Sequence, residues 1–157
     1  MTNRAVLDIE WYIDGPKIDA KIVEAANWIL HRFSLDSLRV SVSLVDDATI
    51  RQQNCEQLGH DWATDVISFV IQRSGDSVDG EVIASVDTAR RLAEQAGWNL
   101  EHELMLYVVH GMLHVVGLDD IEENDRIEMR QLERECLTAI GIAQADSLHE
   151  RWDDVTY

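Results

Sequence analysis

The chain has 157 residues, 46% of them apolar and 27% charged, and its 30 acidic residues against 13 basic ones leave a formal net charge of −17. That size and balance fit one globular core, expected as a single domain over residues 1–157, and do not fit a disordered or fibrous chain. So negative a surface repels polyanions at long range, which excludes broad nonspecific nucleic-acid binding and makes any RNA contact local.

The first periodic segment, AVLDIEWYI (residues 5–13), alternates apolar and polar residues as a strand does, and Gly15 and Pro16 end it. From Asp19, read as an N-cap, Ile22, Ala25, Ala26, Ile29, Leu30 and Phe33 recur at helical spacing, with His31 off that stripe on the surface. SLRVSVSLVDD then alternates Leu38, Val40, Val42 and Leu44 with polar residues, the pattern of a strand with one buried face. A short helix is expected from an Asp47 cap to Leu58, followed by a loop and an apolar, β-branched strand at Val66 to Ile71.

QRSGDSVDG reads as a polar turn, and EVIASV after Gly80 as a fourth strand. An Asp87 cap and Gly97 bracket the next helix. NLEHELMLYVVHGMLHVVG runs from an Asn99 cap to Gly117 and is apolar on every side after Glu103, so it belongs in the centre of the molecule. The final helix, IEENDRIEMRQLERECLTAIG, carries Ile127, Leu132, Cys136, Leu137 and Ile140 on one face and a charged, solvent-facing surface on the other. The tail, residues 142–157, has no period, and Trp152 is its one anchor candidate. The order β α β α β β α α α predicts an α+β fold: one mixed sheet of about four strands covered by about five helices, with a buried central helix.

Cys55 and Cys136 lie far apart without CxxC spacing, so reduced thiols are expected rather than a disulfide framework or a zinc ribbon. The opening MTNRAVLDIEWYIDG has no uninterrupted apolar stretch of the kind a secretory signal carries. No segment reaches the roughly 18 consecutive apolar residues of a membrane span, so a cytoplasmic protein without membrane contact is expected.

Chemistry concentrates in HGMLHVVGLDD, residues 110–120. Residues four apart on a helix lie on one face about 6 Å along the axis, so His110 and His114 present their rings side by side and can chelate one metal ion. Zinc is held this way by two helical histidines plus a third protein ligand, with water in the remaining position when the site is catalytic. Gly117 suits the turn that brings the chain back, and Asp119 and Asp120 are both available as the third ligand. Gly111, without a side chain, permits close approach of another backbone or of a substrate, and it stands where a zinc protease of the HExxH type has its glutamate. His60 and His102 lack ligand spacing to each other and read as surface residues, with His60 a possible contributor because it precedes DWATDV.

On these residues the chain resembles the YbeY family of endoribonucleases and ribosomal RNA maturation factors, whose hallmark is H-G-x-x-H-x-x-G-x-D-H. The resemblance extends to TDVISF (64–69), to GEVIASVDTARRLAEQAG (80–97) and to the acidic helix after the motif. It implies a zinc ion, one per chain, held by His110, His114 and Asp120, with Asp120 in place of the family's third histidine and Asp119 supporting the site from outside the ligand set. It also implies a zinc-dependent endoribonuclease, specific for single strands, that acts in small-subunit ribosomal RNA maturation and ribosome quality control. Ribosomal RNA and the small ribosomal subunit or its proteins would be the partners. Where the family has an arginine before the TDVLSF strand this chain has Leu58, which removes a phosphate grip and predicts slow cleavage; Arg90, Arg91 or His60 could compensate. Two other classes fit the same residues: a non-catalytic ribosome assembly factor with structural zinc, and a metallohydrolase of another substrate.

Overall fold

The computed structural model describes residues 3–142; the segment 143–157, with Trp152, lies outside the described residues. The elements follow in the expected order: β1 (Val6–Trp11), α1 (Asp19–Arg32), β2 (Ser37–Val45), α2 (Asp47–Leu58), β3 (Val66–Ser74), β4 (Ser77–Ser85), α3 (Val86–Ala96), α4 (Leu100–Val115) and α5 (Glu123–Ala139). They form an α+β fold around one mixed sheet in the order β1-β2-β4-β3. β1 and β2 are parallel, β2 and β4 are parallel, and β3 pairs antiparallel with β4. β3 is therefore an edge strand.

The alternation in β2 directs Leu38, Val40, Val42 and Leu44 to the same side as Val78, Val82 and Ala84 of β4. There they meet the apolar stripe of α1 and the whole of α4 in one cluster. Burying each such aliphatic side chain contributes about 1.5–3 kcal/mol, which is why a helix apolar all round settles at the centre. On the opposite face, toward the C-terminal ends of β2 and β4, Val45, Ile67 and Ile83 pack with Ile50 of α2 and with Phe69.

Several boundaries differ from expectation for identifiable reasons. The QRSGDSVDG segment is mostly strand: β3 and β4 form a tight hairpin that turns at Gly75 and Asp76, with Gly75 at φ 58°. Its polar residues fit because that end of β3 is exposed. The N-caps shift by one or two residues. α1 starts after Ile18 without a side-chain cap, while Asp19 accepts a hydrogen bond from Trp11 Nε1 at 2.8 Å. Asp46, not Asp47, caps α2 by accepting from Thr49 N, and Ser85, not Asp87, caps α3 by accepting from Thr88 N. Asn99 caps α4 as expected, accepting from Glu101 N at 2.8 Å.

α5 also departs from its reading. Ile127 is exposed, whereas Arg130 and Glu133, assigned to the solvent face, are buried. His102 is half-buried at the start of α4 rather than on the surface.

Candidate metal centre and its groove

α4 lies against the sheet because two glycines let it. A Cβ built on Gly111 would sit 2.8 Å from Val82 Cγ1 and 3.2 Å from Val66 Cγ2, and one on Gly80 would sit 2.3 Å from Val115 Cγ1. The close approach that Gly111 permits is thus with β3 and β4. It presses the helix face bearing His110 and His114 toward the edge formed by β3.

α4 ends at Val115, Gly117 follows at φ 112°, and the chain returns with Leu118, Asp119 and Asp120. Arg73 of β3 donates from Nη1 to the Val116 carbonyl at 3.0 Å, binding this helix end to the edge strand. The return brings Asp120 over the two rings: Oδ2 is 3.4 Å from His110 Nε2, Oδ1 is 3.6 Å from His114 Nε2, and the two Nε2 atoms are 3.0 Å apart. The ligand-capable atoms of these three residues all lie within 4.8 Å of one another.

The far side of each ring fixes its tautomer. His114 Nδ1 is 2.9 Å from the Leu118 carbonyl, which can only accept, so Nδ1 carries the proton. His110 Nδ1 is 2.7 Å from Glu133 Oε2, and that carboxylate is also held by Arg130 Nη1 at 2.6 and 2.9 Å. With both Nδ1 atoms donating, both rings turn Nε2 toward Asp120. Lone-pair-bearing atoms converging at such distances suit a shared cation, either a metal ion or a proton. Three ligands of a tetrahedral zinc, with bonds of about 2.0–2.1 Å, stand about 3.3 Å apart, close to the 3.0 Å between the two Nε2 atoms and to the 3.4 and 3.6 Å at which each meets its own Asp120 oxygen. The donor set therefore fits a divalent ion.

Burial alone would lower the His114 pKa, but the hydrogen bond and charge of Asp120, the Leu118 carbonyl and the charge of Asp119 together raise it above its ordinary value. The hydrogen bond to His114 holds the Asp120 carboxyl below the usual range against a smaller opposing effect of burial. Asp119 is exposed and touches neither ring; its Oδ1 accepts from Asp120 N at 2.8 Å and shapes the turn.

His110, His114 and Asp120 open into a groove of about 670 Å³ lined by β3 from Val66 to Val70 and also by Asn54, Leu58, His60, Trp62 and Thr64. Its volume is in the range of small-molecule and nucleotide sites, roughly 300–1,000 Å³. Leu58 and His60 thus both reach the groove. Arg90 and Arg91 do not line it: Arg91 pairs with Asp47 at 2.9 Å, and Arg90 Nη2 is 3.5 Å from the Asp14 carbonyl. Neither is placed to supply the groove with the charge that Leu58 lacks.

Sequence reasoning missed Glu133, Arg130 and Trp62. Glu133 was findable, because it lies four residues after Met129 and four before Leu137, inside the apolar stripe of α5. A charge in that position calls for a buried partner.

A mixed α+β sheet whose central helix and following turn gather two histidines and an aspartate beside an open strand edge defines a protein with a candidate metal centre in a substrate-sized groove. The chain belongs to the endoribonuclease YbeY family, which matches it over residues 9–141. It is 46% identical over 105 residues to the endoribonuclease YbeY of Rhodopirellula baltica, a match covering 66% of this chain and 54% of that protein, so the chain spans about half the length of that relative. The endoribonuclease YbeY of Bacillus licheniformis is 36% identical over 121 residues, covering 70% of this chain and 77% of that protein. That of Chloroherpeton thalassium is 34% identical over 122 residues, covering 78% and 86%. The solution structure of TM1509 from Thermotoga maritima shares the fold, with a TM-score of 0.67 and 23% identity across 97% of this chain and all of that one. Among the described residues, no helix is long and apolar enough to cross a membrane.

Proposed function

We propose that this protein is a zinc-dependent endoribonuclease, specific for single strands, that acts in small-subunit ribosomal RNA maturation and ribosome quality control. The observation that carries this reading is the convergence of His110, His114 and Asp120 on one point in the groove floor, each histidine oriented from behind by a fixed acceptor. Family membership supports the nuclease role, since the relatives are named endoribonucleases. Ribosomal RNA within the small subunit, or the proteins around it, is the partner this reading assigns.

A zinc ion bound there supplies Lewis acidity toward a phosphoryl oxygen and makes water a better nucleophile. The protein's own contribution is to place that ion. Glu133 and the Leu118 carbonyl keep both Nε2 lone pairs pointed at it, and Asp120 adds a negative charge that lowers the electrophilicity available compared with three neutral imidazoles. The strand edge of β3 offers backbone donors and acceptors along the groove. Leu58 offers no charge to a phosphate, and losing one of two groups that stabilise charge at phosphorus costs a factor of roughly 100 to 1,000.

The test incubates single-stranded RNA with wild type, Leu58→Arg and His114→Ala, each with and without chelator. Slow chelator-sensitive cleavage by wild type, faster cleavage by Leu58→Arg and none by His114→Ala is expected. Equal cleavage by all three indicates a contaminating nuclease. No cleavage even by Leu58→Arg, with zinc retained, favours the non-catalytic assembly factor.

A further inference from the structure

One part of the groove lining has a construction that metal chemistry leaves unexplained. His60 and Trp62 stack with ring centroids 4.5 Å apart and planes 9° from parallel, and both line the groove. Trp62 is 51% exposed, far more than a large aromatic ring in a packing role. The loop that carries the pair is anchored. Asn54, itself buried, donates from Nδ2 to the Trp62 carbonyl at 3.0 Å, and Arg51 Nε holds Asp61 at 2.9 Å between the two rings in sequence.

The lining has a second property. Among the described residues that form the groove there is no lysine or arginine, while Asp65 and Asp120 are acidic and Leu58, Phe69 and Val70 are apolar. Apart from the metal site, no cationic side chain of the lining can grip a nucleic acid by its phosphates, and the net charge of −17 opposes the polyanion at a distance. What the groove does offer is a flat π-surface. Base–aromatic stacking contributes about 1–3 kcal/mol per base and needs no cation.

The geometry points to the His60–Trp62 stack as a base platform: an unpaired base of single-stranded RNA extends the two-ring stack, and binding in this groove comes from the bases rather than the backbone. This rests on the nuclease reading and deepens it. Duplex RNA, whose base faces are already covered, is rejected because it has no ring to offer. Trp62 is here a substrate-binding residue that sets strand preference.

The test measures fluorescence anisotropy of labelled octaadenylate, of an abasic oligonucleotide of equal length and of a duplex, with zinc-loaded protein and again in chelator to prevent cleavage. Trp62→Ala should weaken octaadenylate binding about tenfold, the change that about 1.4 kcal/mol produces, and Trp62→Phe should restore most of it. The abasic strand should bind weakly to wild type and be insensitive to Trp62→Ala. A salt slope below about 2 is expected, since each neutralised phosphate of a single strand adds about 0.7. Unchanged binding by Trp62→Ala, equal binding of the abasic strand, or tight duplex binding each overturns the platform. If metal-dependent cleavage persists alongside any of these, the platform alone fails. If Trp62-dependent binding persists without cleavage, the nuclease reading fails and the platform stands. If octaadenylate neither binds nor is cleaved, both are overturned.

Discussion

His110 Nδ1 stands 2.7 Å from Glu133 Oε2, a contact between α4 and α5 that spans 23 residues of sequence and is almost entirely buried. It makes the tautomer of a metal-facing histidine depend on a helix that carries no ligand. Carboxylates placed behind a ligating histidine typically account for 10–100-fold in metal affinity.

Glu133→Gln is therefore expected to weaken zinc binding by about 10–100-fold while leaving the three ligand residues in place. The same change removes the charge that Arg130 Nη1 meets at 2.6 and 2.9 Å, so the denaturant midpoint should fall as well. Chelator competition and urea unfolding measure the two effects separately. A variant with lowered stability but native zinc affinity would show that Glu133 serves the core alone.

Asp120 and Asp119 have separable roles. Asp120→His should keep or tighten zinc binding by restoring a third imidazole, and Asp120→Ala should weaken it by a factor of about 10 or more. Asp119→Ala removes only the 2.8 Å acceptor of the Asp120 amide and should cost a few-fold at most. Ranking the three variants against one chelator decides the assignment, which is wrong if Asp119→Ala is the most damaging.

The fold and the side-by-side placement of His110 and His114 were legible because they rest on periodicity. The alternation of Leu38 to Leu44 and the all-apolar helix around His110 allowed little besides a half-buried strand and a central helix. The caps were not legible to the residue, because Asp46, Asp47, Ser85 and Asp87 are all competent and only tertiary contacts choose among them. Ser85 Oγ accepts the α3 cap bond from Thr88 N and itself donates to Asp47, a link no local pattern displays. Trp62 was hidden for another reason: an exposed aromatic in a loop looks the same in sequence whether it stacks on its neighbour or not.

Gly111→Ala tests how closely α4 must approach the sheet. The added methyl would lie 2.8 Å from Val82 Cγ1, so either Val82 or the helix has to move. Alanine gains about 1 kcal/mol of helix propensity, and overpacking a core costs about 1–3 kcal/mol, so a net loss of up to about 2 kcal/mol is expected. In a Val82→Ala background only the 3.2 Å approach to Val66 Cγ2 remains, and the same substitution should cost clearly less. Denaturant midpoints of the four proteins supply the cycle. A loss of equal size in both backgrounds would mean that Val82 is not what Gly111 accommodates.

Asp47 ties the start of α2 to the start of α3, accepting from Ser85 Oγ at 2.7 Å, Thr88 Oγ1 at 2.6 Å and Arg91 Nη1 at 2.9 Å. Burial pushes its carboxyl pKa up, but the three hydrogen bonds and the guanidinium charge outweigh burial and hold it below the ordinary 3.8. A carboxyl whose folded pKa is depressed adds stability above its unfolded value and loses it as pH falls through the folded one. Asp47→Asn should thus be less stable than wild type by about 1–2 kcal/mol at pH about 7, and the difference should shrink below pH about 4. Urea unfolding of both proteins across that range measures it, and a difference as large in acid as at neutrality would remove charge from the explanation. Arg91→Gln should lose part of the same stability yet leave octaadenylate binding unchanged, because Arg91 is committed to Asp47 and stands outside the groove. Weakened RNA binding by a fully folded Arg91→Gln would instead return this arginine to the substrate path.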